Sequence, residues 1–272
     1  MILSPSCTGS YDQKVPNRRK VARVKPGSPT TSSYDLNAKF WVKIIRENLD
    51  RYRAELTNPA VLDAVGDCRG SRLLDAGCGE GYLSRMFAER DAQVDGIDSS
   101  PSLVESARAA SSQETDRINY HIGDVTRMDF AGESFNIVVC NHLLNDLPAP
   151  ADAIAEFYRI LKPGGRLVIL MLHPCFYGFR IRGEKDSSRR PVSDYFTARC
   201  AEQPFDVAGI ISPAPVTVYV RSLEYYSEAI MSTGFRITSL QEPHPSDEQL
   251  QDEWWQQKFS VPLFLLITAV RN

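Results

Sequence analysis

The 272-residue chain predicts an α/β fold, a doubly wound sheet of seven strands, mostly parallel, with an antiparallel last strand. Three observations carry this. Short apolar runs alternate with helical patterns from residue 72 to 172, the signature of parallel strands joined by right-handed crossovers. Two of those runs end in acids, Asp75 and Asp98, and enclose the glycine turn Gly77-x-Gly79-x-Gly81. The final two runs, 235–240 and 262–270, have no evident crossover helix between them, so they are expected to pair antiparallel.

In chain order, Phe40, Ile44, Ile45, Leu49 and Tyr52 repeat at helical steps over 34–56. Thr57-Asn58-Pro59 ends that helix, and a short one follows over 60–66. Strand one spans 72–76, a helix about 80–90, and strand two 93–97. Ser100 then reads as an N-cap with Pro101 at the first helical position. Strand three spans 118–122 and strand four 135–140; the continuous apolar run of the latter suits burial on both faces. A helix over about 150–161 stops at Lys162-Pro163-Gly164-Gly165 and leads into strand five, 166–172. From 175 to 216 the regular pattern fails amid prolines, glycines and aromatics, as in a lid or binding loop. A helix over 222–232 precedes the last two strands. The organisation is thus a flexible basic tail (1–33) and a single domain (34–272). That domain comprises N-terminal helices (34–69), a core (70–174), a lid-like insertion (175–216) and the end of the sheet (217–272).

Composition restricts the function classes. A net charge of −3 gives no support for nucleic acid as a partner. The apolar stretch 261–270 is too short to span a membrane. Cys7, Cys68, Cys78, Cys140, Cys175 and Cys200 form no C-x-x-C pair, which favours reduced thiols and a cytoplasmic location. The four histidines lack metal-ligand spacing, so no metal is expected. The tail carries six basic residues between Lys14 and Lys25. It reads as a solvated arm; a nucleic-acid arm and a transit peptide are the alternatives, and prolines disfavour the helix a transit peptide needs.

The glycine turn between two acid-tipped strands suits a nucleoside ligand, because backbone can approach it and the second acid can accept from ribose hydroxyls. Dinucleotides use G-x-G-x-x-G, with a pyrophosphate at the helix start. Here the third glycine comes one residue early, and Glu80 inside the turn would repel a pyrophosphate. Asp75 can hold an ammonium group. The pattern therefore favours S-adenosylmethionine over a dinucleotide, with an oxidoreductase as the competing class.

Four segments in order make the chain resemble the class I, Rossmann-like S-adenosylmethionine-dependent methyltransferases of the small-molecule type. They are Leu-Leu-Asp75-Ala-Gly77-Cys78-Gly79-Glu-Gly81-Tyr, Gly-Ile-Asp98-Ser99-Ser-Pro, Gly123-Asp124-Val125, and Phe157 to Ile169 through Lys162-Pro-Gly-Gly165. The resemblance implies that Asp75 and the Gly77, Cys78, Gly79, Gly81 turn hold the amino-acid portion of the cofactor. It places Asp98 on the ribose, Ser99 and Leu103 beside the adenosine, Asp124 and Val125 at the adenine, and Asn141 on the methionine side. Tyr34 matches, more loosely, an aromatic that closes over the cofactor.

Methyl transfer is an in-line displacement with inversion, in which positioning supplies much of the rate and a base serves only an acceptor that must lose a proton. His142 and His173 follow strands four and five, where an acceptor would approach, and are the candidate bases or positioning residues; hydrogen-bonded structural histidines are the alternative. Phe176, Tyr177, Phe179, Tyr195 and Phe196 could line an aromatic acceptor pocket or only pack a lid. No [DNS]-P-P-[YF] signature follows strand four, which turns the expectation away from nucleobase and glutamine acceptors. A small apolar or aromatic natural product or precursor is the expected partner, and homo-oligomers through the extension or insertion are compatible. A cyclase or decarboxylase on the same fold, or a non-catalytic S-adenosylmethionine binder, remains an alternative.

Overall fold

The computed structural model describes residues 30–111, 117–177, 195–196 and 198–272. Strands β1 (Arg72–Ala76), β2 (Gln93–Asp98), β3 (Ile118–Ile122), β4 (Phe135–Asn141) and β5 (Leu161–Leu172) alternate with helices α4 (Tyr82–Ala88), α5 (Pro101–Ser111) and α6 (Pro150–Ile160). Helices α1 (Thr30–Leu36), α2 (Ala38–Arg46) and α3 (Asn58–Val65) precede them. After β5 come β6 (Arg199–Gln203), β7 (Asp206–Val207), β8 (Ile210–Ile211) and β9 (Val216–Val220). Helix α7 (Leu223–Ser232), β10 (Phe235–Gln241), α8 (Glu253–Lys258) and β11 (Phe264–Arg271) complete the chain.

The main sheet has seven strands in the order β3-β2-β1-β4-β5-β11-β10. β1 to β5 pair parallel, and β11 runs antiparallel to both neighbours, as expected. Both faces are buried because alternate side chains of the central strands feed two cores. Leu74, Val138 and Ile169 pack with Ile154, Phe157, Tyr226 and Ile230. Leu73, Val139 and Leu170 pack on the other face with Val61, Phe87 and Trp255.

Three departures from expectation have local causes. The helix expected over 34–56 is broken twice. Asn37 breaks it first: its buried side chain donates to Ala214 O at 2.8 Å and accepts from Ala214 N at 2.9 Å, competing with the helical backbone. Asn48 ends α2 with φ 53°, in the left-handed region that asparagine tolerates at helix ends. A turn of π-helix, Tyr52–Thr57, then runs into α3, which carries Pro59 in its first turn. Second, β5 begins at Leu161, which pairs with Phe135 across a bulge formed by the Lys-Pro-Gly-Gly segment. Third, the insertion is not wholly irregular. β6 and β9 form an antiparallel pair and β7 and β8 a small hairpin, all too short to stand out among prolines and glycines. Helix α8 was equally hidden: six residues, held by Asp252 accepting from Trp254 N at 2.8 Å and by burial of Trp255.

The insertion lies against the N-terminal helices. Beside the Asn37–Ala214 pair, Trp41 meets Phe205 edge-on at 4.8 Å. Tyr219 N donates to Asn145 O at 2.6 Å, docking β9 on the segment after β4. The expected tail of 1–33 overlaps α1, which begins at Thr30; residues 1–29 lie outside the described residues.

Candidate active site

The glycine turn is held by backbone hydrogen bonds to β2: Gly77 N and Cys78 N both donate to Ile97 O, at 2.8 and 3.0 Å. Gly77, Gly79 and Gly81 all adopt positive φ (75°, 55° and 80°), which side chains rarely tolerate. The third glycine has a second reason: a Cβ at Gly81 would stand 2.3 Å from Tyr120 Oη. A Cβ at Gly79 would meet nothing within 4 Å, so that side of the turn is open.

Asp98 ties the turn to the tip of β2. Its Oδ2 accepts from Gly79 N and its Oδ1 from Ser100 N, each at 2.9 Å. Burial raises its pKa, and these backbone donors oppose the rise. Asp75 is 1% exposed, accepts from Ser84 Oγ at 2.6 Å, and is pushed up to about 6 by burial.

Glu80 corrects one step of the sequence argument. It is fully buried but paired, with Arg85 Nη2 at 2.7 Å on Oε1 and Arg46 Nε at 3.1 Å on Oε2. Its charge is compensated, so it does not repel a pyrophosphate as expected. It fastens α2 to the glycine turn instead. The preference for a phosphate-free ligand then rests on Asp75 and the early third glycine.

At the tip of β4, Asn141 Nδ2 donates to Tyr82 Oη at 3.0 Å, while Asn141 Oδ1 is buried without a partner. The Arg53 guanidinium lies 4.7 Å over the Tyr82 ring, and its Nε is likewise buried and unpartnered. Buried polar atoms without partners are costly, and these two flank one tyrosine that also feels the charge of Asp75. Gathered around Tyr82, a carboxylate, an amide oxygen and a guanidinium N–H complement an α-amino acid's ammonium and carboxylate. The residues present therefore fit the methionine part of S-adenosylmethionine. Arg53 was not singled out in the sequence, where it is one arginine among several on a helical stretch.

The remaining cofactor candidates line the same end of the sheet. Leu103 and Val125 are buried, and Ser99 is exposed beside Asp98. Asp124 is exposed at the tip of β3 and accepts through Oδ1 from Thr126 N and Oγ1, both at 2.8 Å. Leu143 packs on Gly77, where a Cβ would lie 3.1 Å from its side chain, and this contact explains the first glycine.

Neither histidine is arranged as a free base. His173 is 3% exposed and has both ring nitrogens engaged. Nδ1 accepts from Cys175 N at 3.1 Å, which places the proton on Nε2, 2.9 Å from Glu242 Oε1. His142 packs edge-on to Phe264 at 5.4 Å, and burial lowers its pKa to about 4, which makes it a weak proton acceptor. Its backbone, at φ 55°, turns the chain off β4.

Of the aromatic candidates, Phe176 packs on His173 at 4.8 Å and Tyr177 Oη accepts from Gln203 Nε2 at 3.4 Å. Tyr195 accepts from Leu223 N at 2.8 Å, at the start of α7. Phe196 is 85% exposed, and Phe179 lies outside the described residues. Tyr34 donates to Asp146 Oδ2 at 2.6 Å. Its neighbour Asp35 accepts from Ser100 Oγ at 2.7 Å and Ser102 N at 3.1 Å, seating α1 on the start of α5. Asp35 and Asp146 were missed because their partners lie 65 and 112 residues away.

Burial also raises Asp146, to about 7. A carboxyl whose folded pKa exceeds its unfolded value of about 3.9 stabilises most below that value and loses the contribution as pH rises through the folded pKa. Asp146→Asn should therefore gain stability relative to the parent between pH 4 and 8. The expected swing is roughly 1–3 kcal/mol, read as the difference between urea midpoints at the two pH values.

Comparison with known proteins agrees with this geometry. A family model described as a methyltransferase domain matches residues 74–169. Ubiquinone biosynthesis O-methyltransferase of Xanthomonas oryzae pv. oryzae is 32% identical over 181 residues, covering 64% of this chain and 71% of that protein. The protein of the same name from Coxiella burnetii is 30% identical over 172 residues, covering 61% and 70%. A solved S-adenosylmethionine-dependent methyltransferase from Mesorhizobium loti superposes with a TM-score of 0.66 at 27% identity, over 78% of this chain and 96% of that one.

Proposed function

The chain belongs to the class I S-adenosylmethionine-dependent methyltransferases, and from that premise we propose that it O-methylates a small aromatic acceptor. One observation carries the choice: aromatic side chains and a hydroxyl–carboxylate pair meet beside the acid-tipped strands. Tyr34 stacks with Trp41 at 6.4 Å and lies close enough to Tyr177 and Asp98 to feel both. Such walls favour a flat apolar ligand, and the polar pair can receive a proton from a hydroxyl. The names of the Xanthomonas and Coxiella relatives point to oxygen as the methylated atom.

When bound, S-adenosylmethionine supplies an electrophilic methyl carbon on a good leaving group. The protein's part is placement. Asp98 would hold the ribose, and Asp75, Asn141 and Arg53 would hold the amino-acid end. Tyr34, carried on α1, covers the site and excludes water. Burial pushes Asp75 up to about 6, and an ammonium partner would bring it back toward the ordinary carboxylate range.

The test is incubation with S-adenosylmethionine and catechol, phenol or aniline, with products read by mass spectrometry. O-methylated phenols with an equal yield of S-adenosylhomocysteine are expected. Methylation of the amine alone, or S-adenosylhomocysteine binding with no transfer to any hydroxyl across a wider panel, would overturn the reading.

A further inference from the structure

We propose that Tyr34 and Asp146 form a proton relay for the transfer, the phenol taking the acceptor's proton while passing its own to the carboxylate. The proposal rests on the O-methylation reading above. Its basis is a hydrogen bond of 2.6 Å from Tyr34 Oη to Asp146 Oδ2, made across 112 residues between α1 and the turn after β4.

Both halves of the pair are positioned by their chain neighbours. Asp146 N donates to Leu143 O at 2.9 Å, closing the turn. Asn145 clamps that turn between two strands: its Oδ1 accepts from Leu172 N at 2.9 Å, and its backbone oxygen accepts from Tyr219 N at 2.6 Å. On the other side, Asp35 and Asn37 seat α1 through Ser100, Ser102 and Ala214. The Tyr34–Asp146 bond is not needed to hold the helix, so a buried carboxylate there calls for another reason.

The electrostatic setting suits proton exchange near neutrality. Asp146 is 8% exposed, and burial with the charge of Asp98 raises it to about 7, against the opposing bond from Tyr34. The titratable groups that face it are Tyr34 from α1, Asp98 from β2, Cys140 from β4 and Tyr226 from α7. One buried cation stands next along the turn: Arg221, which follows β9, donates to Leu147 O and Pro148 O, each at 2.9 Å, and lies beside Tyr226.

The step balances. The acceptor O–H bond breaks and its proton goes to Tyr34 Oη as the phenolic proton moves to Asp146 Oδ2. The acceptor oxygen forms the new C–O bond, and the electrons of the broken S–C bond remain on a neutral sulfur. Asp146 ends protonated and returns its proton to water after product release.

The experiment compares parent, Tyr34→Phe and Asp146→Asn, with catechol as the probe acceptor, over pH 5.5 to 9. A parallel infrared titration follows the carboxyl band of each S-adenosylhomocysteine complex. Both variants should lose about 100-fold in kcat while KM for S-adenosylmethionine stays within about threefold. The parent's kcat should rise through an ionisation near 7 that Asp146→Asn lacks. The carboxyl band titrating there should vanish in Asp146→Asn and move to higher pH in Tyr34→Phe, because the phenol's bond favours the carboxylate. A kcat within about threefold of the parent in both variants overturns the relay. If the parent binds S-adenosylhomocysteine but leaves catechol unmethylated, the O-methylation reading fails for that acceptor and the infrared arm decides. A near-neutral carboxyl that responds to Tyr34 supports the relay, and a carboxyl in the ordinary acid range overturns it.

Discussion

Replacing Asp98 with alanine is expected to weaken S-adenosylhomocysteine binding about 100-fold, measured by calorimetry, with the fold retained. The carboxylate has two oxygens with about four acceptor positions. Gly79 N and Ser100 N each take a position on one oxygen, and the Ser99 backbone also bonds the carboxylate. The remaining acceptor capacity is what ribose hydroxyls would use. Alanine removes the ligand bonds and also releases the tip of the glycine turn, so part of the loss is preorganisation. Asparagine should do little better. Its NH2 would face one of the backbone N–H groups, donor against donor, and only one acceptor atom would survive. An Asp98→Asn protein binding within about threefold of the parent would show that the ribose is held elsewhere.

The residues proposed to hold the cofactor are legible in the sequence because they lie at strand tips. Asp75, Asp98 and Asn141 each end an apolar run, and a parallel sheet brings all such ends to one edge. What decides the acceptor half is long-range pairing. Asp146 reads as one acid in a Pro-rich turn until Tyr34 is placed on it, and Asn37 reads as a mid-helix polar residue until Ala214 arrives. Periodicity also ran past Asn37 and Asn48, because an apolar stripe continues in phase even where the backbone stops. The histidines meet the same limit. Their places after β4 and β5 are legible, but the ring partners Cys175, Glu242 and Phe264 are not. Glu80 shows the same limit in electrostatics: a charge in a motif carries no sign of its partners.

Glu80→Ala should destabilise the protein by about 2–3 kcal/mol and raise KM for S-adenosylmethionine at least tenfold. Breaking a buried ion pair from one side usually costs about 3–5 kcal/mol, since the stranded partner stays desolvated. Here the arginines are 43% and 23% exposed, so water recovers part of that loss. The functional effect follows from geometry. Arg46 is the last residue of α2 and also donates to Ser106 O at 2.9 Å, so Glu80 joins α2, the glycine turn and α5 at one point. Freeing that point loosens α2, which lies in the chain between α1, with Tyr34, and the π-helical turn, with Arg53. Glu80→Gln separates the causes: it preserves shape and one acceptor oxygen but removes the charge. If charge compensation is what holds α2, Gln should follow Ala in both urea midpoint and KM. If shape alone matters, Gln should match the parent, and the role assigned to the Arg46–Glu80–Arg85 cluster would be lost.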